Sequence, residues 1–145
     1  MSTIYYREGF KYQLSRDYYI QTGLTPPFAI VTEYIGFDED GTLSIAKGYA
    51  WDGPSGPTFD TPCTMRASLV HDALYQLMRA NLLNPAYYRE AADKLFHRLC
   101  LEDEMNRLRA ELWYESLRVG AGAAADPKNE KREIAAPKAP DHEIT

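Results

Sequence analysis

Residues 62–79 read Pro62-Cys63-Thr64-Met65-Arg66-Ala67-Ser68-Leu69-Val70-His71-Asp72-Ala73-Leu74-Tyr75-Gln76-Leu77-Met78-Arg79. Met65, Leu69, Val70, Leu74, Leu77 and Met78 recur at three- and four-residue steps, the period of a helix with an apolar stripe. Asn84-Pro85 closes this helix and opens another, because a proline in a first helical turn lacks only an N–H that would have no partner there. Ala91, Ala92, Leu95, Phe96 and Leu99 carry the second helix. A third is expected from about Glu104 to Val119 on Leu108, Leu112, Trp113 and Leu117, ended by Gly120. Residues 121–145 are rich in Ala, Pro and charge, too poor in large apolar side chains to offset their ordering entropy, and read as a disordered tail.

Upstream of the helices the composition changes. Tyr, Ile, Phe, Val and Thr concentrate there between turn residues, which favours strands. Short strands are expected at Ile4 to Arg7, Lys11 to Leu14 and Tyr18 to Thr22. A longer one from Phe28 to Phe37 turns back through Asp38-Glu39-Asp40-Gly41 into Thr42 to Ile45. Lys47 to Pro62 reads as a rigid loop, since its prolines remove backbone donors and fix dihedrals. The fold class that follows is α+β: one domain over residues 1–120, an N-terminal antiparallel sheet followed by a three-helix unit, and a tail over 121–145.

The chain has 145 residues and a net charge of −5 from 16 basic and 21 acidic residues. That length supports one core and disfavours a multidomain enzyme. The acidic balance, without a Lys/Arg cluster, disfavours a nucleic-acid partner, whose binding rests on cations against phosphates. No transmembrane segment or signal peptide is visible, so the chain is expected in the cytoplasm on synthesis. Cys63 and Cys100 lack zinc-site spacing and read as buried thiols.

The residues with chemical potential are His71-Asp72, Tyr75 and Asp93. In two antiparallel helices turning near Leu83, His71 and Asp93 stand ~18 Å and ~15 Å from the turn at 1.5 Å per residue, nearly level. A carboxylate facing an imidazole fixes its tautomer and stabilises its charged form, as a general base requires. The same pair can instead brace the helices and satisfy its own hydrogen bonds, and Asp93 has Arg89 and His97 at four-residue steps as competing ion-pair partners. Tyr75, one turn beyond His71, either joins the cluster or is a core aromatic. Asp72 points about 100° away from His71 and faces toward the Trp51 to Pro57 loop. There Asp52 and backbone carbonyls form an oxygen-rich set suited to a hard cation such as calcium. Ser55 lacks the small-residue elbow of an acyl-transfer nucleophile, and a phosphohydrolase metal site needs more histidines than His97 and His142 add.

Two resemblances rest on these residues. Asp52-Gly53-Pro54-Ser55-Gly56-Pro57, His71-Asp72-Ala73-Leu74-Tyr75, and Arg89 with Ala92-Asp93 together resemble the phage and prophage family catalogued as domain of unknown function 1353, over roughly residues 10–118. This resemblance implies a phage origin without an established activity. Locally, His71-Asp72 with Tyr75, and Asp93 on the partner helix, are similar to the helix pair of small calcium-dependent phospholipases of the A-two class. That similarity implies His71 as the base, Asp93 as its orienting carboxylate, and Asp72 with Asp52 as calcium ligands. The expected function is thus a phage protein with a calcium-assisted ester or lipid hydrolase site. The alternative is a non-enzymatic virion or assembly protein, partnered by phage structural proteins, in which the His-Asp cluster only braces the fold.

Overall fold

A computed structural model describes residues 3–7, 12–51 and 62–120. Among the described residues seven short strands precede three helices, and the α+β arrangement expected from the residue pattern is the one observed. β1 (Tyr6–Arg7), β2 (Tyr12–Leu14) and β7 (Ala50–Trp51) form one antiparallel sheet in the order β1-β2-β7. β3 (Tyr18–Gln21), β4 (Ile30–Val31), β5 (Ile35–Phe37) and β6 (Thr42–Ile45) form a second, ordered β3-β6-β5-β4. β3 alternates buried Tyr18 and Ile20 with exposed Tyr19 and Gln21, the pattern of a strand covered on one face.

Two strand expectations are corrected. The single strand expected from Phe28 to Phe37 is a hairpin: Ile30 pairs with Phe37 and Val31 with Gly36. Its turn is closed by Thr32, whose N–H donates to Ile35 O at 2.7 Å and whose hydroxyl oxygen accepts from Ile35 N at 3.0 Å. A threonine hydroxyl can mimic a backbone turn, so no glycine marks the reversal. The loop expected from Lys47 starts as a turn at 47–48 but contains β7, with Gln13 opposite Ala50 and Tyr12 opposite Trp51.

The helices are α1 (Pro62–Arg79), α2 (Pro85–Glu102) and α3 (Arg107–Gly120). α1 is buried on almost every side; Thr64 through His71 are all buried in succession. Such a helix is central to a core and not an amphipathic cover. Asn84 caps α2, its Oδ1 accepting from Ala86 N at 2.9 Å, with Pro85 in the first turn.

α3 does not start at about Glu104, where apolar spacing places it, but at Arg107. Glu104 adopts φ 69°, Glu104 N donates to Leu101 O, and Met105 N donates to Cys100 O at 2.9 Å. This is the bond pair of a Schellman stop, so α3 starts only after Asn106, whose Oδ1 accepts from Leu108 N. The rotation that follows buries Ala110, Trp113 and Leu117. Leu108 and Leu112, expected in the core, are 83% and 52% exposed.

Candidate functional site

α1 and α2 run antiparallel and bring His71 opposite Asp93: His71 Nε2 lies 2.7 Å from Asp93 Oδ1. The level placement expected from helical rise is therefore observed. Tyr75, one turn along the same face of α1, donates its hydroxyl to the same oxygen at 2.6 Å. Its ring lies 4.1 Å from the imidazole, and Phe96 meets the imidazole edge-on at 5.5 Å. Tyr75 is thus both a core aromatic and a member of the polar cluster.

Asp93 is 0% exposed and His71 6%. A buried carboxylate needs several donors to stay ionised. The other oxygen finds one that helix spacing within α1 and α2 does not contain: Arg118 of α3, whose Nη1 donates to Asp93 Oδ2 at 2.8 Å. Burial opposes ionisation, but the bonds from His71 and Tyr75 and the guanidinium of Arg118 outweigh it and hold the Asp93 carboxyl below its ordinary range. Burial and the bond to Asp93 push the Tyr75 phenol upward, so it stays a protonated donor.

Neither expected competitor of His71 takes Asp93 away, although Arg89 stands close enough to Tyr75 to oppose the rise of its phenol pKa. Arg89 donates to Leu117 O at 3.1 Å and Arg118 O at 2.9 Å, neutralising carbonyls at the end of α3. His97 lies 3.4 Å from Glu111 and packs against Tyr114. Asp93 is therefore not a surface ion pair. An ionised Asp93 can only accept, so the Nε2 that faces it is the donor of this bond.

Asp72 is half-buried on α1, beside His71 in sequence. Asp52, the other expected metal ligand, lies outside the described residues, as does the rest of the 52–61 segment. The residue before it is firmly seated: Trp51 Nε1 donates to Ser68 Oγ at 3.0 Å, one helical turn ahead of Asp72. Among the described residues no group of three or more His, Cys, Asp or Glu side chains gathers as a metal site. Cys100 is buried and Cys63 half-buried, both free thiols, and burial pushes the Cys100 thiol up to about 12.

A second polar cluster had no signal in the residue spacing. Buried Arg66 of α1 grips Asp103 with two bonds of 3.1 and 3.0 Å, reaches Glu102 at 3.0 Å, and donates to Tyr18 OH at 3.3 Å. Every arm is used on protein, so this cluster ties β3 to both helices. Comparison with models of protein families, with curated proteins and with solved structures returns no match.

Proposed function

We propose that this chain is a phage or prophage protein with a hydrolase site in which His71 is the general base and Asp93 its orienting carboxylate. The observation that carries the reading is the pairing of Nε2 with a fully buried, ionised carboxylate, which directs basicity to Nδ1 on the other edge of the ring. His71 would take a proton from an attacking water through Nδ1. Asp93 would stabilise the imidazolium formed, and Tyr75 and Arg118 would keep Asp93 from rotating. The phage origin is supported by the three motifs in order along the chain.

The substrate class proposed is an ester or lipid, with calcium as the cofactor. Asp72 and Asp52, with carbonyls of the 52–61 segment, are hard oxygen donors of the kind calcium takes, and Trp51 is anchored one turn from Asp72. Bound there, calcium would polarise the ester carbonyl and stabilise the oxyanion.

A second reading has its own support. Asp93 joins α1, α2 and α3 through His71, Tyr75 and Arg118, and little of the imidazole reaches solvent; a brace in a virion or assembly protein needs no more. The experiment that separates the two uses the full chain with phosphatidylglycerol vesicles and a soluble ester, with and without millimolar calcium. The hydrolase reading expects calcium-dependent cleavage, a Tm raised by calcium, and loss of cleavage in His71→Ala with the far-UV spectrum retained. Cleavage that survives His71→Ala, or is absent under every condition, discards it and leaves the brace.

A further inference from the structure

A groove of about 550 Å³ opens where the α1–α2 turn meets the loop before β4. Phe28, Leu82, Pro85, Tyr87 and Tyr88 line it, with Pro27, and the side chains of Asn81 and Asn84 stand among them. Phe28 and Tyr87 are 56% and 78% exposed and line the same groove, and an exposed apolar patch of this kind marks an interaction surface. Both walls are held in place. Tyr88 OH donates to Thr25 O at 3.0 Å, Leu24 N donates to Thr22 Oγ1 at 3.0 Å, and Asn84 caps α2. Aromatic and proline surfaces interspersed with amide and phenol donors suit one ligand backbone in particular, the polyproline II helix, whose carbonyls have no internal partners.

The chain carries such a segment. Ile134-Ala135-Ala136-Pro137-Lys138-Ala139-Pro140 places Ile134, Pro137 and Pro140 three residues apart. At three residues per turn all three fall on one face, along ~19 Å. The end of α3 is fastened to the first turns of α2, which carry Tyr87 and Tyr88: Arg89, next in sequence, holds the Leu117 and Arg118 carbonyls in the last turn of α3. The thirteen residues 121–133 that intervene span ~20 Å as a flexible chain and up to ~45 Å extended.

From these observations we infer that residues 134–140 dock in polyproline II form into the groove between Phe28 and Tyr87 of the same molecule. A segment too poor in apolar residues to fold alone can still order on a preformed surface. Tethering places it there at an effective concentration of order millimolar, so weak individual contacts suffice.

The test uses the full, isotope-labelled chain. In the wild type, amides of residues 134–140 are expected to relax like the folded domain. The triple variant Ile134→Ser, Pro137→Ala, Pro140→Ala should return them to fast motion and shift the amides of Phe28, Leu82, Tyr87 and Tyr88 while leaving β3 and β6 in place. Tyr87→Ala, which removes an exposed ring, should release the segment in the same way. All of these effects should be unchanged on tenfold dilution. Fast motion of 134–140 already in the wild type, with groove amides indifferent to the triple variant, overturns the inference and leaves the groove for an external partner. Shifts that fade on dilution overturn it in favour of the tail of a second copy.

Discussion

Asp93 accepts from an imidazole, a phenol and a guanidinium while wholly shielded from water. Removing it strands two buried donors and one cation, so Asp93→Ala should cost about 3–5 kcal/mol in urea unfolding. Tyr75→Phe removes one of the two donors on Oδ1 and should cost about 1 kcal/mol. The same carboxylate gives acid stability a direction. Its folded pKa lies below the ordinary carboxylate value of 3.8, so its contribution is complete above that value and is lost as pH falls through the folded pKa. Wild-type Tm should therefore fall below about pH 4, and Asp93→Asn, less stable throughout, should show a shallower acid limb in pH-dependent thermal scans. His71 and Asp93 were readable as neighbours because a fixed rise per residue sets their level in an antiparallel pair, whereas spacing left Tyr75 open between the cluster and the core. Arg118 was not, because its position depends on how α3 crosses α2 and on no spacing within a helix.

Both connections between the helices are set by residues whose role is conformational. Asn81 (φ 63°) and Glu104 (φ 69°) both occupy the left-handed region after α1 and α2, and both complete Schellman bonds. Asparagine tolerates that region; glutamate does so only against a steric cost. Glu104→Gly should therefore stabilise the protein by about 1 kcal/mol, visible as a raised urea midpoint with an unchanged m-value. The stop at Glu104 also explains why α3 presents Ala110, Trp113 and Leu117 inward and leaves Leu108 and Leu112 outside. Replacing both leucines with serine should change stability by less than about 0.5 kcal/mol, whereas Leu117→Ala should cost about 2–5 kcal/mol. A large loss from the first pair would mean that their face is covered. Neither stop carries a glycine, so the usual helix-ending signal was missing, and the Thr32 turn between β4 and β5 escaped for the same reason.

Across the whole molecule, the sheets and helices are joined by side chains far apart in sequence. Arg66 links α1 to Tyr18 and to the end of α2, Trp51 reaches Ser68, Tyr49 reaches Gln76, and Tyr88 reaches Thr25. Arg66→Ala removes the densest of these and leaves Asp103 without its guanidinium. It should cost about 3 kcal/mol and lower both the far-UV and near-UV transitions together, because sheet and helices share one core. Transitions that separate in the variant would instead mean that the strands and helices unfold as independent units.

By itself the amino-acid sequence determined the order of strands then helices, the helical state of residues 62–79, and the meeting of His71 with Asp93. These are local consequences of side-chain period and helical rise. Only the tertiary structure decided that Asp93 has a third partner in Arg118, which face of α3 is buried, that Phe28 to Phe37 folds back on itself, and that Ala50–Trp51 pairs with β2. Each of those depends on contacts between segments distant along the chain, where the free energy belongs to the assembled pair and to neither segment alone.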